Sequence, residues 1–346
     1  MRSIVVYVSS FRRFPTPLAG LRRTYQTGSE DGKGNGDPMA TTRKIFPSPC
    51  ATALILLMVF TGGCASTLTK MTVDGMKPMM EKMRDSSHSN PDVEMVRDAM
   101  PALLLQLDGF IEVSPENRYI LTNAAESYMG YAFLFVEDTD KERAKGLYYI
   151  AKEYALRSLK LNQTFAQALA QDDIQVFTKS LKTIHKRDIA PLFFATNAWL
   201  QWIRLAHADD PNALNDLPKV EAMIDRTLEL DDTFNYGGIH AVLGAWYVSR
   251  PQMLGGQPEQ ADFHFNEAFE ISGSKYLLWQ YLYARYYAVE IKDKKLFVDT
   301  LNRILSAPDD LLPEEAFVNA AVKIKAKELL THADDYFLAG QPTGGL

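Results

Sequence analysis

The chain has two thiols, Cys50 and Cys64, and both lie in an apolar region near its amino terminus. The 282 residues after Cys64 contain no cysteine, so a disulfide framework and a cysteine-based zinc site are both excluded from them. Cys64 directly follows two glycines, and small residues of this kind mark the cleavage point of an exported chain. Covalent modification of Cys64 is therefore the chemistry that these residue types favour most.

The segment before Cys64 has the layout of an export signal. A basic start over residues 39–44 precedes a short apolar run over 51–60 and the small residues 61–63. The run is far shorter than the roughly 20 residues that span a bilayer, which argues against a transmembrane helix. Its ending resembles the bacterial lipobox, in which the cysteine receives a diacylglyceryl group. We therefore predict a lipid anchor on Cys64; the alternative is a general signal peptide with an incidental cysteine.

These features divide the chain into five parts. A signal peptide normally opens a chain, so Met39 is the expected translation start. Residues 1–38 lack periodicity, and we expect them to be disordered if they are translated. Residues 39–63 are predicted to be a lipoprotein signal peptide, 64–91 a polar, methionine-rich tether, 92–338 a helical domain and 339–346 a C-terminal tail.

Charge limits the partners of the exported part. Residues 64–346 carry 29 basic and 40 acidic side chains, and no basic stripe is interleaved with aromatic residues. Such a surface repels phosphate groups, so we expect no nucleic-acid binding. For the same reason we expect contact with a membrane only through the lipid anchor.

Motifs for bond chemistry are absent. The sequence has no phosphate-binding glycine loop, zinc-protease helix or nucleophile elbow. Its six histidines include no pair spaced three or four residues apart, so no helix face presents two imidazoles to a metal. Aspartate pairs, such as those beginning at Asp172 and Asp209, are explained by helix capping rather than by catalysis. We predict that the protein is not an enzyme and holds no metal or cofactor.

From residue 92 onward the sequence predicts an all-α fold. Apolar residues recur every three or four positions, and strict alternation is absent. Turn-forming residues such as Ser114-Pro115 separate the helical stretches. We predict helices over 92–112, 116–136, 140–161, 164–183, 188–207, 215–230, 235–249, 258–271, 274–291, 294–306 and 313–338.

Helix pairs of this length indicate a repeat, and the tetratricopeptide (TPR) pattern fits them. The best copy pairs the motifs His240-x-x-Leu243-Gly244-x-x-Tyr247 and Ala261-x-x-x-Phe265-x-x-Ala268. A second copy pairs Glu126-x-x-Met129-Gly130-x-x-Phe133 and Ala144-x-x-x-Tyr148-x-x-Ala151. A third, degenerate copy lies around Trp199 and Val220. We therefore expect a TPR-like superhelix of helical hairpins.

This combination resembles a known family, the TatT component associated with tripartite (TRAP) transporters, whose members are periplasmic lipoproteins built from TPR-like helices. The resemblance covers the lipoprotein signal and roughly residues 115–337. Its most specific stretch is Ser249-Arg250-Pro251-x-x-x-Gly255-Gly256-x-Pro258-x-x-Ala261-x-x-His264-Phe265-x-x-Ala268, followed by residues 277–289. Gln257 departs from the acidic residue that the family often has after the two glycines.

The resemblance implies a periplasmic accessory protein that pairs with an extracytoplasmic solute receptor and can assemble as a homotrimer. It also implies an apolar channel through each subunit for a small hydrophobic or amphipathic solute. Cys64 is followed by Ala65-Ser66 and not by the aspartate that retains many lipoproteins at the inner membrane, which favours the outer membrane.

Aromatic residues are concentrated on the predicted first helices, which line the inner wall of a TPR superhelix. The residues that we expect to line a cavity are Tyr128, Tyr131, Trp199, Trp202, Trp246 and Tyr283. Ordinary packing between hairpins is the alternative for each of them. The loop residues Arg250, Pro251, Gly255 and Gly256 are predicted either to form the mouth of that cavity or to make a plain turn.

Two functions from different classes follow from these observations. The first is solute binding and transfer within a TRAP-type system, without bond chemistry. The second is a TPR scaffold lipoprotein for an envelope complex, which predicts an exposed aromatic groove and no enclosed cavity. An enzyme whose site is assembled from distant residues is a third hypothesis.

Overall fold

The computed structural model describes residues 67–249 and 256–337. The predictions for residues 1–63, Cys64, the loop residues Arg250, Pro251 and Gly255, and the tail over 339–346 lie outside these ranges. Inside them every regular element is helical, which confirms the all-α prediction. None of the helices described is long and apolar enough to cross a membrane.

The α-helices are numbered here in chain order. They are α1 (Lys77–His88), α2 (Val93–Val113), α3 (Arg118–Tyr131), α4 (Lys141–Leu159), α5 (Gln163–Leu169), α6 (Ile174–Leu181), α7 (Ile189–Ala206), α8 (Leu217–Leu230), α9 (Phe234–Val248), α10 (Pro258–Ile271), α11 (Leu277–Leu282), α12 (Lys294–Ser306), α13 (Ala316–Thr331) and α14 (Ala333–Phe337). Residues 67–75 form a further helical segment before α1. π-Helical turns extend α3 over Ala132–Val136 and α11 over Tyr283–Ala288.

Short polar side chains begin many of these helices. The carboxylates of Asp92, Asp140 and Asp293 each accept a hydrogen bond from the backbone N–H three residues ahead. Such bonds satisfy amide groups that have no partner in the first turn of a helix. The expectation that aspartate pairs act as caps is confirmed at Asp173, which accepts from the N–H groups of Gln175 and Val176.

Asp173 also explains a difference from the predicted helices. The sequence predicts one helix over 164–183, whereas the structure has α5 and α6 with a break at residues 170–173. A carboxylate that accepts from the N–H groups ahead of it favours a new helix start over continuation of the preceding helix.

Residues 67–88 are helical, where the sequence predicts a tether. Asp74 joins this segment to the turn after α2 by accepting hydrogen bonds from Ser114 Oγ at 2.5 Å and Asn117 Nδ2 at 2.7 Å. Hydrogen bonds from Lys70 and from these two side chains lower the pKa of Asp74 to about 2. Val73 and Met80 are buried in one apolar cluster. So few buried positions leave no clear periodicity in the sequence, but they fix the segment to the body.

The small residue that the best repeat motif predicts allows a close helix contact. A Cβ atom on Gly244 of α9 would lie 2.6 Å from the ring of Phe265 on α10, closer than packed atoms can approach. Ala261, Phe265 and Ala268 on the facing side of α10 are fully buried. Glycine is therefore required at residue 244 for α9 and α10 to pack at this distance.

The last helices return to the first ones through charged side chains. Arg285, in the second π turn, lies 3.5 Å from Glu137 Oε1 and 3.2 Å from Asp138 Oδ1, just after the first π turn. Lys325 on α13 also binds Asp138 and donates to the carbonyl oxygen of Phe133 at 3.1 Å. These contacts join the second π turn and α13 to the residues that follow the first π turn, so the helices surround an interior space that is partly open to solvent.

Candidate functional site

A cavity of about 570 Å³ lies inside the helix array. Its walls come from α1 and α2 on one side and from α3, α7, α9 and α11 on the other, with residues 315–318 closing one edge. The volume falls within the roughly 300–1,000 Å³ of small-molecule sites. Its apolar lining includes Met80, Met100, Leu103, Leu107, Phe110, Phe133, Leu134, Phe135, Phe193, Phe194, Leu200, Val242, Leu278, Trp279, Leu282, Phe317 and Val318.

Each wall helix contributes one stripe to this lining. On α3 the stripe includes Asn123, Ser127 and Gly130, flanked by Glu126 and Met129, and on α7 it includes Asn197 and Gln201. These residues are three or four positions apart, the spacing that places side chains on one face of a helix. Gly130 has no atom within 4 Å of where its Cβ would be, so its missing side chain enlarges the cavity.

The six aromatic residues predicted to line a cavity lie beside these stripes and outside the lining. Tyr128 follows Ser127 and Tyr131 follows Gly130. The same offset of one position separates Trp199, Trp202, Trp246 and Tyr283 from the lining residues Leu200, Gln201, Ala245 and Leu282. One residue turns a side chain by about 100° around the helix axis, because a turn has 3.6 residues. The six residues therefore lie on helices that line this cavity, on a neighbouring face of each helix.

Polar contacts on that neighbouring face explain why these aromatic residues are there. The Tyr128 hydroxyl donates to Asp108 at 2.7 Å, and the Tyr283 hydroxyl donates to Asp262 at 2.7 Å. Trp199 Nε1 donates to Asp216 at 3.2 Å. A buried Tyr or Trp requires a hydrogen-bond partner for its polar atom, and packing between helices supplies one here.

Methionine is the most frequent apolar residue of the α1 side of the cavity. The lining includes Met76 directly before α1, Met79, Met80 and Met83 within α1, and Met129 on α3. Methionine is unbranched and polarisable, so a wall made of it adapts to ligands of different shape. The sequence predicts a tether for this methionine-rich segment and gives no sign that it lines a cavity.

Two ion pairs hold α1 over the cavity. Arg84 Nη1 lies 3.2 Å from Glu126 Oε2 on α3, and His88 Nδ1 lies 3.0 Å from Glu315 Oε2. Burial alone would lower the pKa of His88, but its hydrogen bond to Glu315 and the charge of that carboxylate raise it above its usual value. All four side chains line the cavity, so the ion pairs that attach α1 are part of the site.

Three asparagines add uncharged polar groups to the lining, beside the ion-paired side chains just described. Asn123, Asn197 and Asn235 face the cavity, and none has a hydrogen-bond partner among the residues that the structure describes. Asn235 and Tyr236 have φ angles of 51° and 57°, in the left-handed region that few side chains adopt. Gly237 continues this turn at φ 75°. Backbone in this conformation is a strained arrangement of the kind found at ligand sites.

A buried ionic cluster lies behind the wall formed by Tyr148 and Gln201. Glu137 is 1 % exposed and accepts hydrogen bonds from Tyr148 Oη at 2.6 Å and Arg204 Nη2 at 2.6 Å. Burial would raise the pKa of Glu137, but the charges of Arg204 and Arg285 lower it overall. The carboxylate is therefore ionised and fully paired, which favours a structural role.

The structure brings together two histidines that are far apart in sequence. His240 Nδ1 and His264 Nδ1 are 2.9 Å apart, between α9 and α10, and both rings are buried. Burial and the neighbouring imidazole lower the pKa of His264 to about 4. No group of three or more metal-ligating residues occurs in the described part of the chain. The pair is best explained as two neutral rings that share a hydrogen bond.

Of the four loop residues that the sequence singles out, Gly256 lies in the described ranges. It is buried, and the next residue, Gln257, donates its backbone N–H to the carbonyl oxygen of Tyr247 at 3.0 Å. Gly256 is not among the residues that line the cavity.

Comparison with known proteins gives the family. A family profile described as the TRAP transporter T-component matches residues 89–337, which include α2 to α14. The chain is also similar to an uncharacterized protein of Treponema pallidum (strain Nichols), with 22 % identity over 263 residues that cover 71 % of this chain and 81 % of that protein. The profile spans well over half of the sequence, and the chain therefore belongs to the TRAP transporter T-component family.

Proposed function

We propose that the protein is a lipid-anchored accessory component of a TRAP-type transport system that binds a small hydrophobic or amphipathic solute in the cavity. Family membership implies an accessory role in TRAP transport and a location in the cell envelope. The proposal includes a bound solute and a lipid anchor on Cys64. It also includes a position at the outer membrane and an extracytoplasmic solute receptor as partner.

The observation that carries the proposal is the cavity between the helices, whose lining is largely apolar and includes several polar side chains. An apolar ligand gains free energy by leaving water for such a lining, at roughly 25 cal/mol per Å² of apolar surface buried. The free amide groups of Asn123, Asn197 and Asn235 provide donors and acceptors for a polar end of the ligand. An amphipathic solute matches both properties.

The same cavity favours solute binding over a scaffold role. A scaffold that recognises peptides needs an open groove, but contacts from Arg285 and Lys325 to Asp138 join the ends of the helix array. Aromatic side chains then fix the wall helices by packing between them. These residues are Tyr128, Tyr131, Trp199, Trp202, Trp246 and Tyr283. We propose that these six residues support the cavity from outside its lining.

Native mass spectrometry of the full lipoprotein, purified in mild detergent, tests the binding proposal. We expect an added mass that organic extraction identifies as an apolar or amphipathic molecule. We also expect association with an extracytoplasmic TRAP solute receptor from the same organism, and the same spectra report whether the protein is a homotrimer. Protein that carries no ligand and does not associate with the receptor would contradict the proposal.

The anchor is tested separately by Cys64→Ser. The thioether bond to the lipid cannot form on serine, so the variant should stay in the soluble fraction while its circular dichroism spectrum and Tm match those of the wild type. Cys50→Ser is the matched control and should remain with membranes. A Cys64→Ser protein that still sediments with membranes would contradict the anchor.

A further inference from the structure

One row of apolar side chains on the amino-terminal helices is exposed. Leu68 and Met71 are each 67 % exposed, and Met79 and Met83 are each 49 % exposed. With Gly75 between Met71 and Met79, the steps along this row are three, four, four and four residues, which place it on one face of a helix. Helical backbone angles at Met76 carry the row from residues 67–75 into α1.

The opposite face of the same helices fixes the direction of this row. Val73 and Met80 are buried in a cluster with Leu107 and Ile111 of α2. Because these two residues face the body, Leu68 and Met71 face outward, and Met79 and Met83 are half exposed where they line the cavity. A contiguous apolar surface of this kind marks an interaction site with a protein or a membrane.

Position and charge identify the occupant as the bilayer. Leu68 lies four residues after Cys64, so an extended chain holds it within about 14 Å of the proposed lipid anchor. Residues 67–88 carry four basic and three acidic side chains, whereas residues 64–346 as a whole are strongly acidic. An almost neutral helix with an apolar face can lie in the headgroup region of a membrane, where the acidic body is repelled.

The row also reaches the cavity. Met79 and Met83 belong both to the exposed row and to the cavity lining. Residues 68 and 83 are roughly 22 Å apart along a helix. A bilayer that contacts Leu68 and Met71 therefore lies close to the methionines that line the cavity. An apolar molecule could pass between them without crossing open water.

We propose that the helix over residues 67–88 lies on the bilayer through Leu68, Met71, Met79 and Met83, and that the cavity takes a single-chain amphiphile, a long-chain fatty acid, directly from the lipid leaflet. This inference rests on the proposed anchor and on the proposed ligand-binding function. It extends membrane contact beyond the lipid on Cys64 to the first helices of the body.

Fluorescence quenching tests the membrane contact without any ligand. The full lipoprotein is reconstituted into phosphatidylcholine vesicles that contain brominated lipid, as Met71→Trp and, as control, Phe263→Trp on α10, where the side chain is 53 % exposed. Bromine quenches tryptophan only at close range, so the added fluorescence of Met71→Trp should be strongly quenched and that of Phe263→Trp should not. Absent quenching at residue 71, or equal quenching at both positions, would overturn the inference.

Transfer of pyrene-labelled palmitic acid from vesicles tests the route. Leu68→Ser with Met71→Ser removes the apolar contact near the anchor, and Ile174→Ser with Val176→Ser removes two exposed apolar side chains elsewhere. The first pair should slow uptake from vesicles about tenfold, because two apolar contacts with lipid are lost, while affinity for the probe in solution stays unchanged. The control pair should leave both unchanged.

The two measurements separate this inference from the proposed function. Uptake from vesicles that is equally fast in both double variants would overturn direct transfer even if the cavity binds the probe. Quenching at residue 71 in a protein that takes up no probe from vesicles or solution would support the membrane contact but refute fatty acid as the ligand.

Discussion

Gly130 and Gly244 stand at equivalent positions of two repeat motifs, yet the structure gives them different roles. A Cβ on Gly244 would meet the ring of Phe265 at 2.6 Å, whereas a Cβ on Gly130 would meet nothing within 4 Å. Gly244 allows two helices to approach, and Gly130 leaves room in a cavity. The motif alone cannot separate these roles, because both positions satisfy the same small-residue requirement in the sequence.

The contact between His264 and His240 makes stability depend on pH. The pKa of His264 is lowered to about 4 by burial and by His240, whereas an unfolded histidine titrates near 6.5. Between pH 6.5 and 4 the unfolded chain therefore binds a proton that the folded protein does not, and the free energy of unfolding decreases as pH falls. The decrease should be roughly 1–3 kcal/mol.

Urea unfolding of His264→Gln at pH 7 and pH 4.5 measures this contribution. The variant should lose less stability on acidification than the wild type, since glutamine does not titrate. The exposed His332 provides a control, and His332→Gln should retain the wild-type difference between the two pH values. An unchanged pH dependence in His264→Gln would refute the assignment.

At the scale of elements, the attachment of α1 to the body depends on pH through one ion pair. Glu315 raises the pKa of His88, against the effect of burial, so the ion pair stabilises the attachment of α1 fully below pH 6.5. This stabilisation is lost as pH rises through the raised pKa. Arg84 and Glu126 form the second ion pair that attaches α1.

Hydrogen–deuterium exchange of α1 tests the fastening, with the exchange of α4 in the same sample as reference. Relative protection of residues 77–88 should fall between pH 6 and pH 8.5 in the wild type. Glu315→Gln should remove that dependence, whereas Glu314→Gln, at the exposed neighbouring position, should keep it. A pH dependence that survives Glu315→Gln would show that His88 does not control α1.

The two π turns form the second element-scale feature with a measurable effect. They place Glu137 beside Arg204 and Arg285, and loss of the carboxylate charge would leave the half-buried Arg204 without an anionic partner and Arg285 with Asp138 alone. Glu137→Gln should lower the free energy of unfolding by about 3–5 kcal/mol. Glu142→Gln, at an exposed ion pair, should change it by less than about 0.5 kcal/mol. Equal stabilities of the two variants in urea unfolding would contradict this role.

The sequence predicts most of the helices, but it does not show which face of each helix lines the cavity. Apolar periodicity and capping aspartates locate most helices, but the break at Asp173 and the helix over 67–88 were missed, because few buried residues mark them. The π turns have no signal in a single sequence, since an extra residue in a turn keeps the helical pattern on both sides. The face of a helix that lines the cavity depends on how the helix is rotated relative to its neighbours. The positions of Tyr128 and Trp202 in the sequence do not show this rotation.

At the scale of the whole molecule, the cavity depends on contacts between helices that are far apart in the sequence. Asp138, Arg285 and Lys325 join residues that are 147 and 187 positions apart, so the helix array surrounds a space that no single hairpin defines. The sequence predicts hairpins and a superhelix, but closure depends on the tertiary contacts of these charged side chains. A space surrounded by helices is consistent with the solute binding that we propose.

The central claim is that this space binds an apolar solute, and filling it tests that claim most directly. Gly130 lines the cavity, and Gly146 is exposed on α4; a Cβ at either position meets no atom within 4 Å. Leucine is favoured over glycine in a helix by about 1 kcal/mol, so both Gly130→Leu and Gly146→Leu should fold.

The measurement is titration of each variant with pyrene-labelled palmitic acid in solution, with Tm recorded for the same samples. We expect Gly130→Leu to bind at least about tenfold more weakly than the wild type, because its side chain occupies the ligand volume, and Gly146→Leu to bind normally. If Gly130→Leu and Gly146→Leu bind the probe with the wild-type affinity, the cavity is not the binding site.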